Sequence, residues 1–473
     1  MAAGPTQTVE QPGGWQGIDL DCVRRWSRAE WLGSNDSRSV LASGVSTDTR
    51  TLAPGQVFVA LRGEIFDGHA HIAAAFDAGA SAAIVERSKC DRDVTGHTFP
   101  GPILVVDSPL LALGRLARHY RRRFAIPVVA VVGSAGKTTA KEMIAAVLGS
   151  KFSVLSTPNN ENNEIGVPRT ILGLTPEHGA AVIEMGARQV GDIAYLCRIA
   201  QPTIGVLLNI GTAHLEVFGS VERVAKAKGE LLDFIVDESY VALVNADDCV
   251  IAGEAMRTKG RLLGFGWTRE GHFSGEGLVL DQEGCGHFSL QYTSFQIRVP
   301  GRHNAHNALA AASVASVCGI STVAAATVLA DFEPVAMRSE ILRKAGFRVI
   351  NDCYNANPGS VRAALDLMGE MSAEGRRIAV LGDMLELGCQ APMLHAEIGR
   401  YAAERANIVL ATGPLSVNTV RGAHEAGMNS GRAEHFADRD SLTRQLKSLV
   451  RSGDIVLVKA SRGMALEQIV TAL

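Results

Sequence analysis

The chain has 473 residues, enough for about three domains at ~150 residues each. Apolar residues make up 47% and charged residues 20%, so each third can bury a core and global disorder is excluded. Lys+Arg total 46 against Asp+Glu 49, and the net charge of −3 argues against nucleic acid as the main partner. The eight cysteines (Cys22, Cys90, Cys197, Cys249, Cys285, Cys318, Cys353 and Cys389) include no CxxC pair. Neither a zinc knuckle nor a disulfide scaffold is expected, and free thiols fit a reducing compartment.

In chain order, the opening MAAGPTQTVEQPGGW lacks a basic segment followed by an apolar core, so no secretory signal is expected. Residues 40 to 120 alternate short β-branched runs (57–60, 82–85, 103–106) with Ala-rich helical segments, which predicts a small α/β domain. The basic stretch Arg118 to Arg123 then ends a helix before Pro127 and is expected to be a solvated helix end rather than a nucleic-acid patch.

A second domain opens with the apolar run Val128 to Val132, typical of a buried parallel strand. Runs at 181–183, 205–208 and 240–244 continue it, predicting a doubly wound parallel sheet with ligands at the strands' carboxyl ends. The uncharged stretch Asn307 to Ala330 is read as two packed helices, not a membrane span, because Gly319 and Ser321 give a stop and a new N-cap. After Glu333-Pro334 a third α/β unit begins, with strands at 347–350, 377–381, 408–410 and 455–458.

Gly133-Ser134-Ala135-Gly136-Lys137-Thr138-Thr139 follows the first strand of the second domain and precedes a helix. Backbone N–H groups and the helix N-terminus suit phosphates, Lys137 suits the β/γ oxygens and Thr138 a magnesium ion, so ATP binding is expected. The standard GxxxxGK[ST] pattern needs Gly at position 131, where this chain has Val131. Glu184 at a strand tip, His214 beyond another strand and Lys228 on a helix are candidates for a metal and charge constellation. Taken singly, each is more often an ordinary surface or core residue.

Together these segments resemble the Mur ligase family of peptidoglycan synthesis, from about Val45 to Gln468. VSTDTRTLAPGQVFVALRGEIFDGHAHI (from Val45) resembles the family's uridine-nucleotide-binding domain. GSAGKTTAKEM (from Gly133) resembles its phosphate loop, although most members carry Asn where this chain has Ala135. TPNNENNEIGVPRTIL, EMGARQVGDI, AHLEVFGS and AKAKGELL are similar to its substrate, metal and modified-lysine segments. DCYNANPGS (from Asp352) and VLGDMLELG (from Val380) resemble the branch that adds a D-alanyl-D-alanine dipeptide, and VKASRGMALE (from Val458) closes the match.

The resemblance implies three α/β domains: 1–125 for the UDP-linked substrate, 126–336 with a central phosphate-loop sheet for ATP, and a Rossmann-like 337–473 for the dipeptide. It implies an ATP-dependent, ADP-forming ligase that joins D-alanyl-D-alanine to UDP-N-acetylmuramoyl-tripeptide through an acyl phosphate. A cytoplasmic monomer is expected, with no nucleic-acid or membrane partner.

Residue by residue, Lys137 and two Mg²⁺ would neutralise the reacting anions, with Glu184, His214 and an N-carboxylated Lys228 as further metal ligands beside Thr138. Lys226 is the alternative to Lys228. Arg338 would reach ATP only when the third domain closes. Asn304 and Asn307 would hold adenine (helix capping is the alternative for Asn304), and Asp352 the ribose. Tyr354, Asn355 and Asn357 would form the dipeptide pocket, although NANPG is also good turn composition. Ser46, Thr47, Asp48 and Arg50 would contact the uridine diphosphate, with Gly63 and His69 nearby, and Asn160 and Arg188 the sugar-peptide. The competing readings are a sister ligase or a folylpolyglutamate-synthase-like ligase adding one amino acid, against which DCYNANP speaks. A phosphate-loop protein without catalysis is opposed by Lys137, Glu184, His214 and Lys228.

Overall fold

The computed structural model describes residues 14–32, 37–63, 65–90, 99–212, 215–268 and 271–473. They form a mixed α/β fold with three sheets. The first sheet has the spatial order Glu30–Trp31, Ile103–Val106, Ala82–Glu86, Gln56–Val59, Gly44–Ser46, and only its two-residue edge strand is antiparallel. Phe58, Ala83, Val85, Ile103 and Val105 supply its buried cluster.

The second sheet has nine strands, ordered Thr293–Pro300, Cys285–Leu290, Phe273–Leu280, Arg261–Gly266, Val241–Asn245, Ile204–Leu207, Val128–Val132, Ala180–Glu184, Val154–Ser156. The first three form an antiparallel extension. The run Val128 to Val132 is buried at every position, as an apolar parallel strand covered on both faces must be. The third sheet is ordered Glu340–Lys344, Phe347–Asn351, Ile455–Lys459, Arg377–Gly382, Ile408–Thr412, Ala433–Phe436, with only the first pair antiparallel.

Two compact units are distinguished: Met1–Ala130 with Phe152–Met185 and Ala194–Thr203, and Val131–Lys151 with Gly186–Ile193 and Ile204–Leu473. Among the described residues no helix is long and apolar enough to cross a membrane. The uncharged stretch from Asn307 is two helices, Arg302–Val317 and Thr322–Ala330, separated by Gly319 at φ +70° and started again by the Ser321 side chain accepting from Ala324 N–H.

The basic stretch before Pro127 corrects the expectation of a solvated helix end. Arg118 and Arg122 face solvent, but Tyr120 is fully buried and Arg121 is only 5% exposed. The Tyr120 hydroxyl donates to the Leu174 carbonyl at 2.6 Å, and burial pushes this phenol up to about 12. Arg121 donates to the carbonyls of Ala200 (3.0 Å), Phe124 (2.6 Å) and Ile126 (3.3 Å). A guanidinium carries five donors, so it can be buried where several backbone carbonyls converge.

In the third sheet, Asp454 is 1% exposed and holds the start of the strand Ile455–Lys459. Its carboxylate accepts from Arg376 N–H (2.8 Å), the Arg376 guanidinium (2.7 Å) and Arg451 N–H (2.9 Å). Burial pushes this carboxyl up, but those hydrogen bonds outweigh it and hold the group below its ordinary 3.8. Asp454→Asn should therefore destabilise the protein by about 3 kcal/mol at neutral pH. The wild-type advantage is full above the unfolded carboxyl value and fades as pH falls through the lower folded one. Urea midpoints of both proteins at pH 7 and pH 3 check this; a gap that widens in acid contradicts it.

Candidate active site

Gly136, at φ +78°, turns the chain into the helix Lys137–Gly149, whose first-turn N–H groups have no acceptor further along the helix, an arrangement suited to anions. A Cβ at Gly136 would lie 2.9 Å from Asn307 Oδ1, so only glycine permits this approach. Lys137 Nζ donates to the Gly133 carbonyl at 2.9 Å.

The loop is braced by Asn209, a residue the motif search passes over. Its Oδ1 accepts from the N–H groups of Ser134 (3.0 Å) and Ala135 (2.9 Å), and its Nδ2 donates to the Ala135 carbonyl at 3.0 Å. Position 135 is thus latched through its backbone, which makes no demand on its side chain. Ser134 Oγ accepts from Gly211 N–H at 2.8 Å. Thr138 and Thr139 are buried.

Lys228 lies on the helix Val221–Gly229 and is 2% exposed, whereas Lys226 is exposed. The Lys228 amine donates to the Gly133 carbonyl at 3.2 Å. Burial pushes Lys228 well below its ordinary range, and the Lys137 charge pushes the same way. Both effects favour the neutral form of the amine.

Arg338 is not a surface arginine. Its Nη2 donates to Thr138 Oγ1 at 2.9 Å, and its guanidinium lies 3.8 Å from the centroid of the Tyr354 ring. Asn304 and Asn307 are buried on the helix Arg302–Val317. Gly301 is that helix's N-cap, and Asn304 Nδ2 donates to the Pro300 carbonyl at 2.7 Å. Asn307 Nδ2 donates to Asn304 Oδ1 at 3.2 Å. His303, between Gly301 and Asn304 in sequence, is half-buried; desolvation pushes its imidazole down, and its Nε2 sits 3.3 Å from Ser339 Oγ.

Asp352 follows the strand Phe347–Asn351, accepts from Ser339 N–H at 3.1 Å and pairs with Lys459, a second residue that motif reading did not single out. Asn355 Oδ1 accepts from Ala356 N–H at 2.9 Å. Asn357 closes a capping box on the helix Pro358–Glu370, its Oδ1 accepting from Ser360 N–H at 2.9 Å, so a ligand role falls to its amide nitrogen.

The other unit carries a separate group. Ser46 Oγ accepts from Asp48 N–H at 3.1 Å, and Asp48 holds the exposed Arg50 through a 2.6 Å ion pair that brings its carboxyl down to about 2. Thr47 is half-buried and Asn160 exposed. Glu184, at the end of the strand Ala180–Glu184, is buried and accepts from Asn162 Nδ2 at 2.7 Å. Thr157 Oγ1 accepts from Glu184 N–H at 3.0 Å. His69 is a hub, contacting Asp67 Oδ1 at 2.6 Å and accepting from Glu86 N–H at 3.0 Å, while Gly63 N–H donates to the Phe66 carbonyl at 2.8 Å. Arg188 is exposed in the second unit, where its N–H donates to Asp192 Oδ2 at 2.8 Å. His214 lies outside the described residues.

The second unit therefore joins phosphate loop, Lys228, Asn307, Arg338, Tyr354 and Asp352 into one neighbourhood: an anion cradle, a buried amine and a cation stacked on an aromatic ring. The chain matches models of the Mur ligase family catalytic domain over residues 42–121, the Mur ligase middle domain over 131–315 and the Mur ligase glutamate ligase domain over 337–462. It is 35% identical to the UDP-N-acetylmuramoyl-tripeptide–D-alanyl-D-alanine ligase of Bacillus subtilis, over 91% of this chain and 93% of that protein. The solved structure of MurF from Acinetobacter baumannii superposes with a TM-score of 0.84 at 29% identity, covering 95% of this chain and 97% of that one. MurF ligase from Thermotoga maritima in complex with ADP gives a TM-score of 0.80 at 30% identity, covering 93% and 98%. Phosphate loop, buried lysine and similarity along nearly the whole chain agree: this protein belongs to the Mur ligase family.

Proposed function

We propose that the chain is an ATP-dependent, ADP-forming ligase that joins D-alanyl-D-alanine to UDP-N-acetylmuramoyl-tripeptide in the cytoplasmic synthesis of peptidoglycan precursors. The observation that carries this reading is the Arg338 guanidinium, bonded to Thr138 of the phosphate loop and stacked on Tyr354 of the DCYNANP loop. One cation thereby touches both the proposed ATP segment and the proposed dipeptide segment.

The terminal carboxylate of the tripeptide attacks the γ-phosphorus of ATP, releasing ADP and leaving an acyl phosphate. The dipeptide amine then attacks the acyl carbon, the tetrahedral intermediate collapses, and phosphate departs. Two anions meet in the first step, so the chain must neutralise charge rather than supply a nucleophile. Lys137 and Arg338 are the cations assigned to the transferring phosphoryl group, and the N–H groups at the start of the helix Lys137–Gly149 hold its oxygens. We assign Gly133, Ser134, Ala135, Gly136 and Thr139 to the phosphates, Asn304 and Asn307 to adenine and Asp352 to the ribose. Tyr354, Asn355 and Asn357 are assigned to the dipeptide, and Ser46, Thr47, Asp48, Arg50, Asn160 and Arg188 to the UDP-linked substrate. The ligand assignments of 1–125, 126–336 and 337–473 follow the same order.

Among the described residues no group of three or more His, Cys, Asp and Glu side chains is arranged to hold a metal by itself. Burial of Lys228 favours its neutral amine, which N-carboxylation by CO₂ would turn into an anionic oxygen ligand. Thr138, Glu184, His214 and the carbamate of Lys228 are the ligands we assign to Mg²⁺, two ions in all. Held there, magnesium would supply neutralising charge for the reacting anions.

The test is phosphate release by the purified protein with ATP and UDP-N-acetylmuramoyl-tripeptide. Release is expected with D-alanyl-D-alanine and not with single amino acids; the reverse pattern sinks the assignment in favour of a single-residue ligase.

A further inference from the structure

We propose that Lys459 is a positioning residue that clamps the segment from Asp352 to Asn355, joining the nucleotide and dipeptide sides of the site. This inference rests on the functional reading given above. The strand Ile455–Lys459 pairs with Phe347–Asn351 in a register that sets Val458 opposite Asn351, so Lys459 stands beside Asp352 where both strands end. The segment 352–357 then runs without helix or strand. Its backbone is tied down by Asp352 N–H to the Val458 carbonyl (3.0 Å) and by Tyr354 N–H to the Met337 carbonyl (3.2 Å).

The Lys459 side chain is 2% exposed, and its ammonium has three donors to place. They go to the Asp352 carboxylate, the Asp352 carbonyl (3.4 Å) and the Asn355 carbonyl (2.9 Å). One buried cation thus fixes a carboxylate and curls the backbone on both sides of Tyr354. The other carboxylate oxygen of Asp352 takes Ser339 N–H at 3.1 Å, next to Arg338. Arg338 in turn rests on Tyr354 and bonds Thr138. Without the ammonium, Asp352 becomes a poorly solvated, unpaired anion and the Asn355 carbonyl loses its donor, so the segment relaxes toward water.

Lys459→Met keeps the stem and removes the charge. Its KM for D-alanyl-D-alanine should rise about tenfold or more, the loss of one charge-assisted bond's organising effect, and its KM for ATP should rise with it. The KM for UDP-N-acetylmuramoyl-tripeptide should stay within about twofold, because that substrate's assigned contacts at Ser46 to Arg50 and Asn160 lie in the other unit, and Arg188, its assigned contact in this one, is held by Asp192 rather than by the Asp352–Asn355 segment. If Lys459→Met does not fold, Lys459→Gln, which retains two donors, should fold and show a smaller rise on the same two substrates. A folded variant with a lower melting temperature and three unchanged KM values overturns the proposal, as does an equal rise for all three substrates. Dipeptide-dependent phosphate release by the wild type decides the functional reading independently of either variant.

Discussion

Lys228→Ala should lower ligase turnover by about 100- to 1000-fold, the scale on which loss of one group stabilising transition-state charge is felt. The argument begins with helix phase. Val221, Val224, Ala225 and Lys228 recur at the spacing of one helix face, and the last three are buried. The amine at the end of that face meets the Gly133 carbonyl at 3.2 Å. Burial and the Lys137 charge both favour its neutral form, so the lone pair is available to attack CO₂. An N–C bond forms, the nitrogen gives up a proton, and the positive group such a site could not tolerate beside magnesium becomes an anion. Depleting CO₂ should therefore slow the wild type, and bicarbonate should restore it. Lys226→Ala, two residues earlier and exposed, should stay within about twofold of wild type. Steady-state phosphate release with and without bicarbonate reads all three. Wild-type turnover in Lys228→Ala, indifferent to bicarbonate, removes the carbamate from the mechanism.

Gly399→Ala should destabilise the protein by about 3 kcal/mol, against the sign that helix propensity alone predicts. Alanine in a helix interior is favoured over glycine by about 0.5–1 kcal/mol. Gly399 lies inside the helix Ala391–Ala403, but its Cβ would come 1.8 Å from the Thr419 carbonyl oxygen on the neighbouring helix Val417–Glu425. Gly422 mirrors it, with a Cβ 1.9 Å from the Ala396 carbonyl oxygen. Backbone cannot swing aside as a side chain can, so the helices must separate and give up packing on both faces. Gly253, inside the exposed part of the helix Cys249–Ala255, has nothing within 4 Å and supplies the contrast. Gly253→Ala should be neutral or stabilising by up to about 1 kcal/mol. Urea midpoints decide the matter; a Gly399→Ala midpoint at or above wild type means the two helices are not in backbone contact.

What could be read from the sequence was whatever its physics made local. The run Val128 to Val132, the glycine turn and the following helix are contiguous, and each announces its conformation. Lys228 was legible through the resemblance of AKAKGELL to the family's modified-lysine segment, and the helix face explains why it rather than Lys226 is buried. Asn209 was not, because its partner Ala135 lies 74 residues away and nothing near Asn209 distinguishes it from a polar residue at a strand end. Lys459 meets Asp352 across 107 residues, and only the pairing of two parallel strands brings them together. The segment Thr293–Pro300 was readable but passed over. Its alternation of buried Phe295, Ile297 and Val299 with exposed partners is a half-buried antiparallel strand, hidden from a search for continuous apolar runs. Arg121 misled for the opposite reason, since charge pattern alone cannot distinguish a guanidinium bound to carbonyls from one in water.

That buried arginine also bears on how the polypeptide can be dissected. The carbonyls it gathers come from immediately after its own helix and from Ala200, 79 residues further on. Any fragment ending shortly after Phe124 would carry the guanidinium without its distant acceptor, and any fragment beginning there would carry the acceptor alone. A continuous piece keeps this fastening intact only if it runs from Arg121 to at least Ala200, so the stretch before Pro127 is a rivet in a place where a linker would be looked for.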